Sequence, residues 1–306
     1  MGAYLVRKTA SFVCVLFIIS ALTFLTLQVL PGDPAQLVLG TESSPQALAA
    51  LRRELGLDKP APVRFGQWLV DFVQGDFGRS IRYSVPVKDL VVQALPVTLS
   101  LAVWAVAVSL GIAVLLGVLS AAYMARWWGQ VVRIISQLGM AVPQFWIGIL
   151  LIQVFGVQLR LLPAGGYSNW QSLILPIATL ALPRTAVLTN MVQVGLSDVL
   201  KSDYIRTAKS KGLPWRKVLF KHAFVNGAIA VATSASIQLI QLVAGTIVVE
   251  QVFGLPGIGQ LLLNGVLQRD LPLVQAITVF VAVGVLIINL LMDYLLMFLD
   301  PRVRFE

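Results

Sequence analysis

The chain runs to 306 residues, of which 58% are hydrophobic and only 12% charged, with a formal net charge of +9. Soluble domains carry roughly 45–50% apolar and about 25% charged residues, so a soluble fold of this length would leave apolar surface uncovered. The composition is that of an all-α integral membrane protein. One cysteine, Cys14, and one histidine, His222, exclude a disulfide framework, a thiolate metal site and a histidine-rich relay within this chain.

Six apolar runs are long enough to cross a hydrocarbon core, which takes about 20 helical residues. They lie near Thr9–Leu30, Pro96–Ala122, Ile134–Leu159, Leu173–Gln193, Ala223–Val249 and Leu271–Leu291. With both termini cytoplasmic, the inner segments hold Arg7, Lys8, Arg126, Arg133, the basic residues of 197–222, Arg302 and Arg304. The short outer loops hold only Arg160 and Arg269, as the positive-inside rule expects. The basic balance is therefore a signal of topology, and it excludes nucleic acid as a partner.

The first span follows Arg7 and Lys8 and is longer than a signal-peptide core, with no small-residue cleavage site, so it reads as a retained anchor. Pro31-Gly32-Asp33-Pro34 ends it, because two prolines and a glycine cannot stay helical. Residues 31–95 are soluble in character and read as an extracytoplasmic segment, either a cap over the bundle or a surface that contacts substrate. Within it Ser43–Leu57 predicts an amphipathic helix capped by Ser44, with Pro45 in its first turn, Leu48, Leu51 and Leu55 on one face, and Gly56 as the stop. Gly75-Asp76-Phe77-Gly78 predicts a turn, and Val85–Leu95 a further short helix.

Residues 96–300 form the expected five-helix core. Spans two and three make a hairpin around a basic loop, Arg126–Arg133, and Pro143, Pro176 and Pro183 lie inside spans three and four. Arg184 is the exceptional intramembrane residue. A central arginine costs about 2.5–3.5 kcal/mol on insertion scales, so it must face the bundle interior or a wet cavity. A place on a pathway satisfies it, and so does a structural role, by snorkelling or by pairing with Asp293 or a partner subunit. Glu250, just after span five, and Asp293, near the end of span six, carry the same two readings. Glu250–Gly259, with Phe253, Pro256, Gly257 and Gly259, reads as a tight re-entrant turn near the outer mouth of a pathway or as a surface loop.

Residues 197–222 are the long polar interval in the second half, carrying Lys201, Arg206, Lys209, Lys211, Arg216, Lys217 and Lys221 against Asp198 and Asp203. Ser202 and Asp203 suit a helix start, Lys209 and Lys211 suit its end, Gly212 suits a left-handed stop and Pro214 forbids continuation. Leu200, Tyr204 and Ala208 share a face with Ile205 beside them. The pattern predicts an apolar knob in a ring of positive charge, shaped for a socket on another protein. A phosphate-binding loop is missing, since Leu200 stands where the second glycine belongs before Lys201-Ser202. Energy from nucleotide hydrolysis would have to come from another polypeptide.

The chain resembles the dipeptide/oligopeptide/nickel-type permease subunits of binding-protein-dependent ABC importers. The resemblance rests on LPGDP (Leu30–Pro34), LGLDKP (Leu55–Pro60), GDFGRS (Gly75–Ser80), PVTLSLA after Leu95, VPQFWIG (Val142–Gly148), LLPAGGY (Leu161–Tyr167), DYIRTAKSKGL (Asp203–Leu213), VFGLPGIG (Val252–Gly259), RDLPLVQ (Arg269–Gln275) and LDPRVR (Leu299–Arg304). It implies six transmembrane helices of the importer permease fold in a bacterial inner membrane. The implied partners are a second homologous permease subunit, two cytoplasmic ATPases and an extracytoplasmic binding protein. The chain itself would hold no cofactor, ATP and magnesium being bound by the ATPases. Asp203, Tyr204, Ile205, Arg206, Thr207, Ala208, Lys209 and Gly212 would form the coupling helix, with Arg206 where importers in general carry glutamate. Short peptides are the implied cargo, with nickel, metallophore or glutathione as alternatives. A secondary transporter or channel is the competing class, but the span residues offer only Arg184 near the midplane and no convincing inverted repeat.

Overall fold

The computed structural model describes residues 2–29, 35–36, 44–54, 57–124 and 126–299. The Pro31–Pro34 break, the Gly56 stop with Leu55, and the terminal stretch from Asp300 lie outside the described residues. The chain divides into two compact units. One comprises residues 1–96 and 257–287, the other 97–256 and 288–306.

The first unit begins with α1, Gly2–Val29, followed by α2, Pro45–Glu54, and α3, Ala61–Val73. Ser44 caps α2 as expected, its Oγ accepting the Ala47 N–H at 3.2 Å. An aromatic ladder joins α3 to α1: Phe65 meets Phe17 at 5.7 Å and Phe24 at 5.3 Å between ring centroids, and Trp68, Phe72 and Phe77 continue it. The Arg64 guanidinium lies over the Phe24 ring at 5.7 Å, and burial there lowers its pKa. The Gly75–Gly78 turn forms, with Asp76 Oδ1 accepting the Gly78 N–H at 2.9 Å. A small core of Val87, Val91, Ala94, Ile258, Leu273, Ala276 and Ile277 gathers the start of α4 (Val87–Ala122), α10 (Ile258–Leu267) and α11 (Leu271–Leu299).

The expected short helix 85–95 and the second span are one element. The helix α4 runs from Val87 to Ala122 with Pro96 inside it.

In the second unit α4 is followed by α5, Trp127–Ala141, and α6, Gln144–Leu151, which ends in a π-helical stretch, Ile152–Gln158. The basic loop is shorter than expected, since α5 starts at Trp127 and takes in Arg133. The third run is also broken, its two halves meeting at 101°. The break falls at Val142 and Pro143, both extended (ψ 125° and 133°): Val142 because a residue before proline is driven out of helical ψ, and Pro143 as the N-cap of α6. A 3₁₀ turn, Trp170–Leu173, leads into α7, Ile174–Leu200, then α8, Asp203–Ser210. A helical approach through Trp215–Lys217 and a π stretch, Val218–Phe224, opens α9, Val225–Phe253.

Among the described residues four helices are long and apolar enough to cross a membrane alone, and up to six spans result if each broken pair counts once. On α4 the exposed Leu99, Val103, Trp104, Ile112 and Leu115 form a face suited to lipid. The core of this unit lies around Leu101, Leu180, Leu242, Val249 and Phe253, with a second cluster around Val192, Leu196, Ile205 and Val218.

Candidate functional site

The polar interval builds a compact platform. Ser202 stands at the N-cap position of α8 in extended conformation, but its hydroxyl donates back to the Val199 carbonyl at 2.6 Å instead of capping. The start of α8 therefore relies on Asp203 in its first turn for electrostatic support. At the other end Gly212 adopts φ +72°. Its N–H reaches the Lys209 carbonyl at 3.0 Å and the Leu213 N–H reaches Ala208 at 3.4 Å, the paired bonds of a Schellman cap. The left-handed glycine read from the sequence is present.

The knob differs from the expectation. Ile205 is 1% exposed and Ala208 is buried, both packed with Val118, Val192, Leu196, Val218 and Leu219 of the chain itself. The apolar stripe of α8 is thus consumed internally, and Tyr204, 46% exposed, is the large apolar side chain that α8 presents outward. An apolar stripe reports that something covers it, not what. The cations of the same interval, Lys201, Arg206, Lys209, Lys211, Arg216, Lys217 and Lys221, are all exposed. Lys209 Nζ lies 4.6 Å from the Trp215 ring centroid, which ties α8 to the following turn. Thr207 donates to the Asp203 carbonyl at 2.9 Å.

The intramembrane candidates separate. Arg184 on α7 donates from Nη1 to Gln238 Oε1 at 3.1 Å and Gln241 Oε1 at 2.9 Å, and from Nη2 to the Gln241 carbonyl at 3.1 Å. Pairing with Asp293 is not realised, because two glutamines one turn apart on α9 take the guanidinium instead. These glutamines were missed in the sequence, although two amides inside an apolar run are the signal that could have found them.

Glu250 and Phe253 belong to α9, not to a loop. The Glu250 side chain is fully buried and accepts the Thr98 hydroxyl at 2.6 Å. The chain leaves the helix only at Gly254, φ +61°, where the Leu255 N–H returns to the Glu250 carbonyl at 2.9 Å. The Phe253 carbonyl, one residue earlier, accepts the Gly166 N–H at 2.7 Å, latching the loop after α6 onto the end of α9. Pro256 is exposed, while Gly257 and Gly259 are buried at the start of α10 in the other unit. Asp293 is half-buried on α11.

Asp270, at the foot of α11, is a further buried acid that was passed over inside the RDLPLVQ motif. It accepts hydrogen bonds from the Ser80 hydroxyl, from the N–H groups of Ile81 at 3.2 Å and Arg82 at 3.1 Å, and from Leu273 N–H at 3.3 Å.

Two family models cover the chain. The model for binding-protein-dependent transport system inner membrane components matches residues 113–305, and its N-terminal companion matches residues 1–102. A protein of Brucella abortus (strain 2308) named as a peptide transport system permease is 40% identical over 100% of both chains. The glutathione transport system permease protein GsiC of Escherichia coli (strain K12) is 37% identical over 99% of each. Among solved structures, an inward-facing MetNI methionine ABC transporter aligns with a TM-score of 0.61 at 18% identity, covering 69% of this chain and 96% of that one, a likeness of fold. The chain is a multi-pass protein that belongs to the family of binding-protein-dependent transport system inner membrane components.

Proposed function

We propose that this chain is one of two homologous permease subunits of an ATP-driven importer, taking short peptides handed over by an extracytoplasmic binding protein. Two cytoplasmic ATPases engage the face around Tyr204 and hydrolyse ATP with magnesium, while this chain performs no chemistry of its own. The observation that carries the reading is the platform at Asp203–Gly212. It has one exposed aromatic, exposed cations on and beside it, and a buried underside packed on the helices it would move. ATP binding closes the ATPase pair and shifts the platform, and the spans pass between inward- and outward-open packings whose balance the nucleotide sets.

Peptides are supported as cargo by the peptide permease of Brucella abortus, identical at 40% of positions from end to end. Glutathione, itself a tripeptide, is the second reading, supported by the 37% identical relative in Escherichia coli. The test is uptake into proteoliposomes holding this chain, its permease partner, the ATPases and the binding protein. Uptake of labelled di- and tripeptides should require internal ATP and persist when ion gradients are collapsed. Uptake that follows an ion gradient without ATP would replace the importer with a secondary transporter.

A further inference from the structure

We infer that Arg184 is a carboxylate-binding station inside the transport pathway, holding the anionic end of a peptide in transit. The inference rests on the peptide-import reading and deepens it.

The guanidinium sits ten residues into α7, about 15 Å along the helix from Ile174, too deep to be explained by a helix-end arginine reaching for headgroups. Its three hydrogen bonds all go to neutral acceptors, two glutamine side-chain oxygens and one backbone carbonyl. None of them cancels the charge. The Nε atom is buried and has no partner. Arg184 and Gln238 border a small, half-open pocket walled by Ser109, Leu110, Leu188, Ala235 and Leu242. Gln238 and Gln241 fix the plane of the guanidinium from one side. Among the described residues no acid meets this cation, and a guanidinium seated by neutral acceptors with a donor unused lacks its anion. A carboxylate suits it in shape, because a planar guanidinium binds a planar carboxylate through paired N–H donors. Short peptides carry one at the C-terminus, and glutathione carries two. The neutral glutamine seat matters as well: a fixed acidic partner would bind the arginine permanently, whereas amide oxygens position it and leave it free to release cargo.

The test uses the purified complex of this chain with its permease partner and ATPases, nucleotide-free in lipid nanodiscs. It is titrated with a tripeptide and with the same tripeptide amidated at its C-terminus. The wild-type complex should bind the free acid about tenfold more tightly, or better, than the amide. Arg184→Gln should abolish that preference while changing amide affinity less than about twofold, and Arg184→Lys should keep part of it. Equal affinities in the wild type, no binding of either form, or an undiminished preference in Arg184→Gln or Arg184→Lys would overturn the assignment. So would equal weakening of both forms, or loss of the permease partner from the Arg184→Gln complex, which would mean that the anion belongs to that partner. The import reading is tested separately by ATP-driven uptake in proteoliposomes. Wild-type uptake without any acid-over-amide preference removes only the role of Arg184, whereas absent uptake removes the parent reading.

Discussion

Asp270 accepts the Ser80 hydroxyl across 190 positions of sequence, and the same carboxylate takes the backbone N–H groups of Ile81, Arg82 and Leu273. One buried acid therefore caps α11 and anchors the loop that begins at Ser80. Asp270→Ala leaves four donors without their acceptor and should cost about 3 kcal/mol in the first unit, against about 1 kcal/mol for Ser80→Ala. Thermal unfolding in detergent and protease cleavage within 79–86 read the difference. Equal effects of the two substitutions would show that the carboxylate does no more than meet the serine.

Tyr204 and Ile205 are adjacent and should behave oppositely. Ile205→Ala removes a buried side chain and should destabilise the protein by about 2–5 kcal/mol. Tyr204→Ala should lower the melting temperature less than Ile205→Ala does and reduce substrate-stimulated ATP hydrolysis in the assembled complex. Unchanged coupling in Tyr204→Ala would take the ATPase contact away from this face.

Gly212 carries a cap whose demand is purely on the backbone. No atom lies within 4 Å of the position a Cβ would occupy, yet φ is +72°. Gly212→Asn should therefore transport almost normally, because asparagine tolerates the left-handed region. Gly212→Val should lose about 2 kcal/mol at the end of α8 and uncouple hydrolysis from uptake. If both variants transport as wild type, the cap has no part in coupling.

The buried Glu250 accepts from the half-buried Thr98. Glu250→Gln retains an acceptor and should stay within about 1 kcal/mol of wild type, while Glu250→Leu removes it and should cost about 1–3 kcal/mol. Melting temperatures of both variants decide it, and a Gln variant as damaged as the Leu variant would show that Thr98 is not what the carboxylate serves.

The helical plan and most of its boundaries were legible in the chain, because apolar runs, caps and stops act over a few residues. Ser44, Gly212 and the Gly75–Gly78 turn behave as their local chemistry dictates. Proline was ambiguous for the same reason. Pro96 continues a helix and Pro143 breaks one, and only packing distinguishes them. What local pattern cannot supply is the identity of a distant partner. It could not say that Ile205 meets Val192 and Val218 and not another protein, that Arg184 would find Gln238 and Gln241 and not Asp293, or that the acid at 270 answers a serine at 80.

The burial of Ile205 and Ala208 beneath the platform has a mechanical corollary. A handle screwed to its door transmits a push without delay, whereas one hanging from a cord absorbs the first part of the stroke. With its underside keyed into α4, α7 and the segment before α9, the platform has no slack to take up. A push delivered to such a platform would pass straight into the helices it is packed on.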